Sequence, residues 1–161
     1  MGYTTDFRGM FNLDKKLRPE HNAYLHAFSD IRHMKRDVKQ LRKLKDPLRT
    51  AVNLGLGVDG EFFIGTGGLA GEQLESVLEN NNPGGTQPGL WCSWVPTEEE
   101  DGIEWNYAEK FYDYTEWMQY IIDKFIKRWG YVLNGEVEWR GEEWEDTGTI
   151  IVTDNVMNVN Y

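Results

Sequence analysis

The sequence predicts an α+β fold, a mainly antiparallel sheet with two principal helices packed on one face. Three features predict it. Two segments repeat apolar residues at helical spacing, several short segments alternate apolar and polar residues, and the strand-like segments cluster as consecutive neighbours. With 161 residues, 40% of them hydrophobic and 14% aromatic, the chain is the size of one domain that buries most of its unfolded surface. A single globular domain over 1–161 is expected, carrying a Gly/Asn-rich loop region at about 53–89.

Tyr3 to Phe11 mixes aromatic residues with Thr and reads as a first strand. Pro19 fits only a first helical turn and Glu20 suits the positive end of the helix dipole, so helix one starts there. Tyr24, Ala27, Phe28, Ile31, Met34, Val38 and Leu41 share one apolar sector, which carries the helix to about Leu44. Asp46-Pro47 then ends or breaks it. Residues 53–89 hold ten glycines and the run Asn80 to Gly85, which predicts loop with a strand-like patch at Glu61 to Ile64 and a short helix at Glu72 to Leu78. Leu90 to Val95 and Ile103 to Tyr107 alternate and form a hairpin, whose connection holds Glu98, Glu99, Glu100 and Asp101 and must be solvated. Asp113 with Glu116 reads as a capping box, Trp117, Ile121 and Phe125 recur every four residues, and Gly130 stops helix two. Val137 and Trp139 alternate with Glu136, Glu138 and Arg140, and Thr149 to Val159 closes an antiparallel pair.

Charge is unevenly distributed. Residues 1–50 carry 12 Lys and Arg against 6 Asp and Glu, net +6, and residues 51–161 carry 5 against 21, net −16, which sum to −10. Such asymmetry speaks to association rather than to fold. No apolar run approaches the roughly 20 residues that span a bilayer, no targeting signal is visible, and the single Cys92 admits no intrachain disulfide. A cytoplasmic protein with no membrane partner is expected.

No nucleophile elbow, phosphate loop, zinc-protease motif or paired cysteines occur, so no catalytic residue, metal site or cofactor is expected and the reading leans away from an enzyme. His26, Asp30, His33 and Asp37 would share one face of an unbroken helix one, but on its polar side, where a structural or solvated role is preferred to metal binding. Cys92, between Trp91 and Trp94, reads as an inert core thiol. On the same unbroken helix, Arg32, Lys35, Arg36, Lys39, Arg42 and Lys43 would form a basic stripe, a secondary contact for an anionic partner; the net negative charge of the chain argues against nucleic acid as that partner. Gly65, Gly67 and Gly68 fit a loose dinucleotide pattern and supply the alternative reading, a nucleotide- or small-molecule-binding protein or enzyme that uses the 55–71 loop.

Gly2 to Phe7, Gln87 to Cys92, Glu109 to Tyr114 and Trp129 to Trp139 resemble an uncharacterised family of small bacterial and phage proteins. The resemblance implies no activity, cofactor or catalytic residue; it implies a mobile-element origin and raises the prospect of a phage-type inhibitor of a host defence protein. The favoured function is a non-enzymatic interaction protein that meets a host protein's basic surface through its acidic C-terminal two-thirds. Glu98, Glu99, Glu100, Asp101, Glu142, Glu143, Glu145 and Asp146, with Glu136 and Glu138, would make a continuous negative field for that contact.

Overall fold

The structure, a computed structural model, describes residues 2–66 and 74–161. In chain order the elements are β1 (Asp6–Leu13), α1 (Pro19–Asp30), β2 (Met34–Arg36), α2 (Val38–Leu41), α3 (Pro47–Ala51), β3 (Val77–Pro83), β4 (Trp94–Pro96), β5 (Gly102–Trp105), α4 (Tyr114–Ile121), β6 (Leu133–Arg140), β7 (Thr147–Thr153) and β8 (Val156–Asn160). The fold is α+β, with a mainly antiparallel sheet and two substantial helices, α1 and α4. The chain forms two compact units: residues 2–17 with 93–161, and residues 18–92.

The first unit is a six-stranded sheet in the order β4-β5-β1-β6-β7-β8, antiparallel at every step. Period-2 patterning explains its two faces. Phe7, Phe11, Leu13, Val137, Trp139, Ile150 and Val152 are buried on one side, while Arg8, Asn12, Asn134, Glu136, Glu138 and Arg140 stand exposed on the other. Phe7 sits among Trp94, Trp105, Phe111 and Tyr114 at centroid distances of 5.0 to 5.8 Å, the edge-to-face and tilted geometry that aromatic quadrupoles favour. The indoles are satisfied as well: Trp94 Nε1 donates to Tyr114 O at 2.9 Å and Trp105 Nε1 to Ala108 O at 3.1 Å. Gly9 and Gly135, near each other on β1 and β6, have φ of +105° and +142°. A Cβ on Gly9 would meet Glu136 O at 2.6 Å, and one on Gly135 would meet Met10 O at 2.8 Å, so the close approach of these strands requires glycine.

Helix α4 begins after Asp113 as expected, but Asp113 is itself left-handed, with φ +57°, and its side chain caps nothing, so the capping box does not form. The helix then widens into a π segment, Ile122–Ile126, in which Lys127 N donates to Ile122 O five residues back. Trp117, Ile121 and Phe125 are buried on the four-residue spacing, with Met118, Ile122 and Ile126 as a second buried row beside them. Each such side chain contributes about 1.5–3 kcal/mol on burial. Turns then lead to Gly130, where helix two was expected to stop.

In the second unit, helix one ends at Asp30 rather than near Leu44. The terminal carbonyls find other donors: Ser29 Oγ donates to His26 O at 2.8 Å, and His33 Nε2 bonds to Phe28 O at 2.8 Å. Ile31 turns extended and Met34 to Arg36 pairs with β3 as a second, two-stranded sheet. Ile31, Met34 and Leu41 are buried as expected, but from a connector, a strand and a separate short helix. The anticipated strand at Glu61 to Ile64 is turn and irregular chain, and of the helix placed at Glu72 to Leu78 the described part is a 3₁₀ turn at Leu74–Ser76 followed by β3. Pro47 starts α3.

Candidate functional site

The sheet register places the two acidic loops. Asn12 at one end of β1 pairs with Gly102, the residue after Glu98 to Asp101, and Asp6 at the other end pairs with Arg140, the residue before the turn holding Glu142 to Asp146. Six residues of strand at about 3.3 Å each put some 20 Å between them. The continuous negative field is therefore corrected to two separate acidic ends, with Arg8 and Arg140 interspersed among Glu136 and Glu138 on the face that joins them.

The ends differ. At the β4–β5 loop Glu98, Glu99 and Asp101 are exposed and Glu100 is half-buried; Asp101 accepts from Thr97 Oγ1 at 3.0 Å, and its carbonyl, like that of Glu100, accepts from Leu13 and Leu17 N–H at 2.8 Å. No large exposed aromatic lies in this loop. The β6–β7 turn is built around Asp146. Its carboxylate accepts from Tyr3 OH at 2.7 Å and from Trp139 Nε1 at 3.0 Å, so it is spent on bracing the turn rather than offered to a partner. Tyr3 also accepts from Glu143 N at 3.2 Å, and its own N–H donates to Tyr112 OH at 2.9 Å. The bond to Asp146 pushes the Tyr3 phenol up. Gly141 N–H closes the turn on Asp146 O at 2.8 Å. From this braced turn Glu142, Glu143 and Glu145 project into solvent around Trp144, which is 83% exposed; Tyr112, half exposed, lies next to Tyr3.

On the open face, two shallow concavities of about 720 and 540 Å³ flank the start of β1 and share Asp6 and Arg8. Arg140 and Tyr161 border the first, Glu104 and Tyr107 the second. Neither guanidinium makes an ion pair or side-chain hydrogen bond among the described residues.

The basic stripe does not form, because the helix it needs ends at Asp30. Arg36 is buried, donates to Ser76 Oγ at 3.0 Å and lies 5.0 Å over the Phe63 ring, so it is a core residue and not a contact. Arg32 reaches Asn80 O from two nitrogens at 3.1 and 3.0 Å. Lys35 is on β2, Lys39 on α2, and Arg42 and Lys43 follow it. His33 and Asp37 likewise leave the helix that carries His26 and Asp30; Asp37 accepts from Lys39 N at the start of α2. Among the described residues no three metal-binding side chains converge.

Of the glycine-rich candidate, Gly67 and Gly68 lie outside the described residues. Gly65 is buried and its N–H donates to Asp46 Oδ1 at 2.9 Å, with Ile64 N–H on the same oxygen at 3.4 Å. Where a phosphate loop would turn its first amides to a ligand, these two already hold a carboxylate, which is anchored in turn by Arg49 Nε at 2.5 Å. Burial nevertheless pushes Asp46 up, the charged partners opposing it. Cys92 is fully buried. Sequence reasoning missed the one feature that separates the two acidic ends, Trp144; its position between Glu143 and Glu145 was the available signal, since a tryptophan flanked by charge in a turn has no core to enter.

No family model, curated protein or solved structure matches this chain. No helix among the described residues is long and apolar enough to cross a membrane.

Proposed function

We propose that this protein is a non-enzymatic binding protein that engages a basic protein surface through the β6–β7 turn, with Trp144 as the anchor and Glu142, Glu143 and Glu145 as its charged rim. The single observation that carries the reading is the exposure of Trp144, 83%, on a turn held rigid by Asp146 and Tyr3. Exposing an indole to water has a hydrophobic cost that a binding function offsets, and tryptophans in desolvated pockets dominate interface energies at about 2 kcal/mol or more on truncation. A preformed turn also loses little entropy on binding. The surrounding carboxylates would steer a basic partner and select against acidic ones. An inhibitor of a host defence protein, the class to which the resemblance points, would act in this way by filling a basic groove.

The test is affinity capture from host lysate at low and moderate salt, with the retained protein identified by mass spectrometry. A basic partner is expected, bound less tightly as salt rises, lost with Trp144→Ala and with Lys at positions 142, 143 and 145, and retained when Glu98 to Asp101 are reversed. Retention by the Trp144→Ala and Lys variants would remove the turn from the interface.

A further inference from the structure

The two edges of the six-stranded sheet are unlike. β4 is three residues long and ends in Pro96, which blunts it, whereas β8 is a regular strand of five residues without proline or lysine. No charged residue occurs from Thr147 to Thr153 or from Val156 to Tyr161, although 27% of the chain is charged. In a molecule of net charge −10, like copies repel over most of the surface, and this outer margin is where they would repel least.

We propose that β8 pairs with β8 of a second copy, antiparallel and centred on Asn158, so that two six-stranded sheets join into one. The two-residue turn Asp154-Asn155, with φ of +47° and +67°, makes Thr153 and Val156 the hydrogen-bonded pair beside it. Val156, Asn158 and Asn160 therefore direct their main-chain groups to β7, and Met157 and Val159 direct theirs outward. About a dyad at Asn158, Met157 of each copy falls opposite Val159 of the other, and the two pairs exchange four main-chain hydrogen bonds. Their side chains, half-buried in one copy, extend the apolar face across the junction. On the exposed face the two Asn158 amides meet at the closer, non-hydrogen-bonded spacing. The strand is thus complementary to itself in both backbone and side chains.

Sedimentation velocity over a range of protein and salt concentrations tests this. Wild type is expected to form a dimer favoured by added salt, which screens the repulsion between copies, the reverse of the salt response expected for a basic partner. Asn158→Lys and Asn158→Asp, each at an exposed position, are expected to fold as wild type by circular dichroism and to sediment as monomers, because like charges then oppose each other across the dyad. Mixing the two variants in equal amounts restores the dimer. A wild type that stays monomeric, including one that instead binds an unrelated extended peptide, overturns the proposal, as do single variants that dimerise like wild type.

Discussion

Burial holds the His33 imidazole neutral, with its pKa lowered to about 3 by desolvation; the bond to Phe28 O opposes this and the Arg36 charge adds to it. Because Phe28 O can only accept, the ring carries its proton on Nε2, and Nδ1 accepts from Gln87 Nε2 at 3.3 Å, which also donates to Glu61 O at 2.7 Å. The folded pKa lies below the unfolded value of about 6.5, so on acidification the unfolded chain takes the proton first. Stability from this residue is complete above that value and falls by about 1.4 kcal/mol per pH unit below it, down to the folded pKa. Melting temperature should therefore drop between about pH 7 and about pH 5, and drop less in His33→Gln, which keeps a donor and an acceptor but no titration in this range. Equal drops in both proteins would place the sensitivity elsewhere. Asp46 is the second residue whose loss is costly: Asp46→Ala strands the largely buried Arg49 and the Gly65 amide together. Chemical denaturation should report a loss of about 3–5 kcal/mol, the range for breaking a buried ion pair; a loss under about 1 kcal/mol would mean that Arg49 finds solvent.

At the scale of elements, legibility followed how many structures a pattern permits. Helix two was readable because Trp117, Ile121 and Phe125 recur on one helical face and Gly130 follows as a stop. Its π segment was not, since a single wide turn leaves no mark in the apolar spacing. Helix one failed beyond Asp30 because the three- and four-residue intervals at Ile31, Met34, Val38 and Leu41 have the helical period, yet these residues lie on a connector, a strand and a separate short helix, where tertiary pairing overrides the local pattern. The break depends on a bond between His33 and Phe28 and on pairing with β3, which begins at Val77, neither of which a local pattern contains. The carboxylates of the candidate site were all visible in the sequence, but the register that separates them into two ends was not. Register also explains a further expectation: Gly135→Ala forces a Cβ against Met10 O and Phe11 Cα while keeping a positive φ. Denaturant titration should show a loss of at least about 1–2 kcal/mol, and a neutral result would mean that β1 and β6 separate without cost.

At the scale of the whole molecule, the apolar patterning foretold the α+β class, while the arrangement of the acidic sequence 51–161 depended on topology. Its carboxylates are divided between two units and, within the sheet unit, between two ends. Only one of those ends joins charge to an exposed indole, and that coincidence is why it is the end proposed for binding. The decisive group is accordingly Trp144 in a complex. Hydroxyl-radical footprinting by mass spectrometry, comparing the free protein with its complex with the captured basic partner, reads this side chain directly. Trp144 should be oxidised rapidly in the free protein and strongly protected in the complex, with the Glu98 to Asp101 loop labelled equally in both. Trp144 labelled to the same extent with and without partner would contradict it.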